Sequence, residues 1–173
     1  GPAAGAYGQD IINYAIAKGC LVIAAAGNEG SAEPEYPAFY SGVMAVTSVN
    51  NSDKRSTFAN YGSHVSISAP GESFTTGNRN NYTPARGTSF SAAIVSSAAA
   101  LVKARFSQFN MEQVREQLRV TSDNIDADNL GYSGLLGKGR LNVFRAVTET
   151  PPSIRQQKVS LVDKSGGAIP PGD

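Results

Sequence analysis

Residues 21–28 read LVIAAAGN, an apolar run from Leu21 that breaks at Gly27 and ends on the polar amide of Asn28. A run without polar alternation suits a parallel strand, because helices cover both faces of a parallel sheet. Just before it, residues 5–19 (GAYGQDIINYAIAKG) pair apolar side chains four apart, Ile11 with Ala15 and Ile12 with Ile16, and stop at Gly19. That spacing predicts a helix with a C-terminal glycine stop. A helix leading straight into a buried strand is half of an α/β unit.

The alternation continues downstream. A loop rich in Gly, Ser, Glu and Pro (Glu29–Pro37) leads to a second strand-like stretch, Val43–Val49, and residues 50–63 are polar and turn-prone. Short β-type stretches follow at Val65–Ser68, Ser73–Thr76 and Tyr82–Pro84, separated by the breakers Pro70-Gly71 and Gly77-Asn78. Thr88 to about Phe106 is the longest helical candidate. It is apolar or small nearly all round until Lys103 and Arg105, which predicts a helix in the middle of the core. Asn110 starts another helix, with Gln113 placed to complete a capping box and Met111, Val114 and Leu118 forming its apolar stripe. A polar loop (Ser122–Asn129) and the glycines 131, 134, 137 and 139 precede a short last helix, Asn142–Val147. The expected class is α/β with a mostly parallel sheet. After Thr150 the texture changes: Pro151-Pro152 makes a linker, QKVSLVD could form one strand, and SGGAIPPGD is a flexible end. Residues 151–173 therefore read as a linker plus the opening strand of a β-type module, or as a disordered tail.

Bulk properties narrow the function classes. The 173 residues are 40% hydrophobic, enough for one domain with a real core. A net charge of +1 gives no electrostatic case for nucleic acid or a charged membrane surface. No run of eighteen apolar residues exists to span a bilayer, and no signal-peptide pattern opens the chain. Cys20 is the only cysteine, so no internal disulfide forms, and its apolar setting predicts a small buried thiol. The sequons at Asn50 and Asn81 matter only in a eukaryotic secretory setting. GNEGSAE (27–33) lacks the Gly-Lys-Ser/Thr ending of a phosphate loop.

Two segments carry the chemistry. VIAAAGN places Asn28 just beyond a strand's carboxyl end, and GTSFSAA (87–93) places Ser89 at the start of a buried helix. Ligands of open α/β sheets sit at such ends, and helix N-termini favour developing negative charge. Separately, each segment is no more than a turn residue or a helix cap.

Taken in order, AAAGN (24–28), YPAFY (36–40), RSTFANYG (55–62), SAPG (68–71), GTSFSAA and GKGRLNV (137–143) resemble the second half of subtilisin-like (S8) serine proteases. The resemblance runs from about Ala6 to Val147, some four-fifths of the chain. It implies that residues 1–150 are the C-terminal portion of a subtilase catalytic domain, with a partial three-layer α/β fold whose N-terminal part is missing. It implies further that Ser89 attacks the scissile carbonyl and Asn28 donates to the oxyanion, while Ala25, Ala26 and Gly27 wall the pocket for the residue before the cleaved bond. Glu35 matches the base of that pocket, where a carboxylate would favour Arg or Lys. The other reading leaves Glu35 pointing into solvent.

The chain also departs from the family. Ala92-Ala93-Ile94 stands where members usually continue with Ser-Pro-His, which favours an unbroken helix. The family's Asp-Thr/Ser-Gly and His-Gly-Thr-His motifs do not occur, and the chain starts only about twenty residues before the AAAGN strand. The single histidine, His64, falls in YGSHVSISAPG (61–71), whose family counterpart is a surface loop remote from the crevice, so an exposed loop histidine is expected. Asp10, Asp53, Asp123, Asp126 and Asp128 lack the family's strand-end setting. The last three match no EF-hand spacing and read as a solvated polar loop.

The whole protein is thus expected to be a secreted or cell-envelope endopeptidase acting on polypeptides, with no cofactor, although a structural calcium ion is compatible with the family. The alternative is a pseudo-protease that keeps the fold as a binding module. The chain by itself is expected to be inactive and to self-associate, or to stay in contact with the missing N-terminal part.

Overall fold

The computed structural model describes residues 5–78 and 80–150. The boundary drawn at Thr150 is followed by residues 151–173, so both readings of that segment lie outside the described residues.

Helix α1 (Ala6–Ala17) closes with the Schellman pattern its glycine stop calls for. Gly19 N–H donates to Ile16 O at 2.9 Å and Cys20 N–H to Ala15 O at 3.0 Å, with Gly19 at φ +82°. Strand β1 (Ile23–Ala25) is shorter than the apolar run that announces it, because the turn consumes Cys20 and β1 meets one partner strand among the described residues. Cys20 is exposed, not buried: it belongs to the helix-ending turn rather than to the strand.

Strands β2 (Met44–Val49) and β3 (Val65–Pro70) complete a parallel sheet ordered β1-β2-β3. Every residue of β2 is buried, as expected of a central strand with cover on both faces. Its side chains alternate between two cores, following the two-residue period of a strand. Met44 and Val46 join Ile67, Val95, Val102 and Leu118 in the larger cluster, whereas Ala45 joins Ala24, Ala38 and Val43 under Ile12 of α1. Strands β4 (Glu72–Thr76) and β5 (Tyr82–Arg86) form a separate antiparallel hairpin with Phe74 and Tyr82 exposed.

Helix α2 (Thr88–Arg105) crosses all three parallel strands. It buries one face, through Thr88, Ser91, Val95, Ala98, Ala99 and Val102, while Leu101 is 53% exposed. The expectation of a helix in the middle of the core is met only in part among the described residues: the sheet, α3 and α4 cover one face of α2 and leave the other open. Helix α3 (Met111–Val120) has the capping box in full: Gln113 N–H donates to Asn110 Oδ1, and Asn110 N–H donates to Gln113 Oε1, both at 2.9 Å. A last helix, α4 (Val143–Thr148), begins where Asn142 Oδ1 accepts from Arg145 N–H. The result is a three-layer arrangement, α1 below the sheet and α2, α3 and α4 above it.

The loop after α3 is not merely solvated. Asp123 accepts from Arg140 at 2.6 Å, from Asn142 at 3.0 Å and from Arg145 at 3.2 Å, and Arg140 also pairs with Asp53 at 2.8 Å. Asp126, by contrast, serves its own loop, accepting from Gly134 N–H at 3.4 Å.

Candidate active site

β1 delivers Asn28 past its carboxyl end, and β5 delivers Gly87 directly into α2. The two meet through Thr88. Asn28 Oδ1 accepts from Thr88 N–H at 2.8 Å and from Thr88 Oγ1 at 3.1 Å. Thr88 Oγ1 lies 3.3 Å from Gly27 N–H and 3.2 Å from Gly27 O, so one buried hydroxyl spans strand end and helix start. With its oxygen held from two directions, the Asn28 amide must present its Nδ2 donors elsewhere. Among the described residues those donors have no partner, and Asn28 is exposed.

Ser89 follows Thr88 in the first turn of α2. Its N–H is one of the helix's orphan donors, with no partner among the described residues, and its side chain is exposed. Gly87 makes this entry with φ +153°, outside the range L-residues adopt easily. Ser91, one turn-step further, anchors the helix by donating to Ala69 O at 3.0 Å at the end of β3. Thr88 thus joins the strand end that carries Asn28 to the helix start that carries Ser89.

Behind Asn28 lies a second cluster, packed around Gly27. Gly27 has φ +115°, and a Cβ there would come within 2.3 Å of Asn60 Nδ2 and 2.9 Å of both Glu29 Oε2 and Glu35 Cγ. The bare backbone is what lets these three side chains close in. Ala26 is fully buried and Ala25 half-buried beside it. Glu35 therefore turns toward Gly27 and is half-buried, rather than lying in open solvent. Glu29 Oε2 accepts from Asn28 N–H at 2.8 Å and from Asn60 Nδ2 at 3.0 Å. Fully buried Asn60 also accepts from Glu29 N–H and Ser31 N–H, and donates its own N–H to Gly27 O.

Arg55 shapes the turn that carries Asn60. Its guanidinium lies between the rings of Tyr61 and Tyr132, at 5.0 and 4.5 Å, and donates to the carbonyls of Ser56, Thr57 and Ala59. Sequence reasoning singled out Asn28, Ser89 and Glu35 but missed Thr88, Glu29 and Asn60. All three sit within the quoted motifs, yet their roles depend on contacts across 31 to 61 residues of chain.

His64 stands apart. It precedes β3, whereas Ser91 binds the opposite end of that strand, roughly 17 Å away at 3.3 Å per residue. Its ring packs edge-on to Phe39 at 5.1 Å, and burial pushes its pKa below the ordinary histidine value. It is half-buried rather than exposed. Asp10 lies on α1, and Asp53 and Asp123 are tied up with Arg140. Among the described residues no imidazole or carboxylate contacts Ser89.

Comparison with known proteins shows the family. Residues 2–139 match the subtilase family, Peptidase S8. The chain is 40% identical over 132 residues to a thermostable alkaline protease of Halalkalibacterium halodurans, covering 75% of this chain and 36% of that one. It is 36% identical over 140 residues to thermitase of Thermoactinomyces vulgaris, covering 80% and 48%. Subtilisin DY of Bacillus licheniformis is 37% identical over 151 residues, covering 84% and 53%. Among solved structures, a protease of Pseudoalteromonas arctica superposes with a TM-score of 0.76 at 26% identity, over 84% of this chain and 47% of that one. The chain thus spans about half the length of the relatives it matches, or less. With motif order, sheet topology and relatives in agreement, this chain belongs to the subtilase family of peptidases.

Proposed function

We propose that the full-length protein is a serine endopeptidase that hydrolyses peptide bonds through an acyl-enzyme on Ser89. One observation carries the reading: Thr88 holds the Asn28 oxygen at 2.8 and 3.1 Å, which leaves the Asn28 amide N–H groups, and the N–H of the adjoining Ser89, without partners among the described residues. Donors fixed in this way favour the carbonyl oxygen once it becomes an oxyanion, and they need no rearrangement to do so. Ser89 Oγ attacks the carbonyl carbon; the bond to the leaving amine breaks from the tetrahedral intermediate, and water then releases the acyl group. A histidine general base and an aspartate to orient it are supplied from beyond these residues, since no such pair stands beside Ser89 here.

The residue before the scissile bond would lie against Ala25, Ala26 and Gly27, with Glu35 at the pocket base. The same reading extends to polypeptide substrates and to a secreted or cell-envelope location. No helix among the described residues is long and apolar enough to cross a membrane.

Turnover of the full-length protein tests the proposal. Asn28→Ala should lower kcat by roughly 10²–10³ with little change in KM, the loss known for removing such a donor from a subtilisin. Ser89→Ala should abolish hydrolysis. An Asn28→Ala variant with wild-type kcat would remove Asn28 from the oxyanion role.

A further inference from the structure

Glu29 and Glu35 close in on Gly27, before Asn28, whereas the residue that leads the chain into the Gly87–Ser89 turn is a cation. Arg86 ends β5, three residues ahead of Ser89, and its guanidinium lies over the ring of Phe58 at 5.9 Å. Phe58 is tied in turn to the loop that follows β1, its carbonyl accepting from Gly30 N–H at 2.7 Å. The Arg86–Phe58 pair therefore links β5 to the segment after Asn28, through Gly30. Arg86 is exposed and makes no ion pair among the described residues, even though Glu72 is its cross-strand partner in the hairpin register. A cleft of about 540 Å³ extends from Arg86 along the hairpin past Glu72, Phe74 and Pro84.

Resting on the endopeptidase reading above, we infer that Arg86, held over Phe58, selects an acidic side chain within the first two residues after the scissile bond. If the acyl half of the substrate lies against Ala25–Gly27, the leaving half crosses Ser89 toward β5. The first strong charge it meets there is a guanidinium already oriented by an aromatic face, which reduces the ordering cost of gripping a carboxylate. Glu72, the group facing Arg86 across the hairpin, weakens this preference without neutralising it. The substrate is then read by charge on both sides of the bond, basic before it and acidic after it.

Two internally quenched peptides, identical except for Asp or Lys after the scissile bond, test this on the full-length protein. Asp is expected to be favoured about fivefold in kcat/KM at low salt, the scale of one exposed charge pair. The ratio should fall toward one as salt shortens the screening length to ~3 Å at 1 M. Arg86→Glu should reverse the preference, Arg86→Gln should erase it, and Glu72→Gln should widen it. An unchanged ratio in Arg86→Glu would overturn the inference while leaving the endopeptidase reading intact. Should hydrolysis persist in Ser89→Ala, that reading would fall instead. Binding of the same peptides to the Ser89→Ala protein, read by fluorescence anisotropy, needs no turnover. It should show the same order of preference, and equal affinity for both peptides would overturn the inference independently.

Discussion

Asn28 and Thr88 show how little of a site a single residue decides. Thr88, sixty residues away in sequence, occupies the Asn28 oxygen and so leaves its Nδ2 as the donor that the proposed role requires. The carbonyl of Asn60 is held by Thr47 at 2.5 Å, and that pins the turn behind both. Glu35 owes its approach to the missing side chain of Gly27 in the same way. In the full-length protein, Glu35→Gln is expected to lower kcat/KM after Arg and Lys at least tenfold more than after Leu or Phe, because a buried charge-assisted contact is worth about 1.5–3 kcal/mol. Equal effects on the two substrate sets, measured with matched peptides, would make Glu35 a loop residue. At this scale the sequence made Ser89 and Asn28 legible through motif order. Thr88, Glu29 and Asn60 stayed hidden because a hydrogen bond between distant loops leaves no periodic trace.

Elements were legible wherever periodicity or capping chemistry dominates. The Asn110–Gln113 box and the Gly19 stop appear where the residues call for them. β1 proved shorter than its apolar run and α2 less enclosed, since both depend on neighbours rather than on local preference. The loop after α3 misled more fully: its aspartates look solvated in sequence, yet Asp123 joins β2's following turn, the 137–143 segment and α4 through Arg140 and Arg145. Burial opposes the charge on Asp123, but hydrogen bonds from Arg140, Asn142 and Arg145 outweigh it and hold the carboxyl below its ordinary value of 3.8. A depressed folded-state pKa means stability that is fully present above the unfolded value and is lost as pH falls through the folded one. Thermal unfolding from pH 6 down to about pH 2 should therefore show a decline that Asp123→Asn flattens while lowering Tm at neutral pH. An identical acid limb in the variant would mean that other carboxylates carry it.

For the whole molecule, the uncovered surfaces are coherent. On α1, Tyr7, Ile11 and Tyr14 are 78%, 50% and 67% exposed although Ile12 is packed against the sheet. On the other side of the sheet a largely apolar groove of about 540 Å³, lined by Leu21, Ile23, Ala99, Met111 and Val114 with Lys103 at its margin, follows the edge of β1 that has no strand partner among the described residues. Leaving even about 400 Å² of such surface open costs roughly 10 kcal/mol, as much as a domain's net stability, and a free strand edge invites pairing. The purified 173-residue chain is accordingly expected to self-associate, and light scattering that reports a stable folded monomer across micromolar concentrations would contradict this. The expected remedy is the rest of the catalytic domain, which would also bring the general base to Ser89. Reaction of the full-length protein with a fluorophosphonate, followed by peptide mass spectrometry, tests that most directly. Phosphonylation is expected to be rapid, confined to Ser89 and dependent on a group that titrates near neutrality, with slow or no labelling of the 173-residue chain alone. Labelling at another serine, or none at all in the full-length protein, would contradict it.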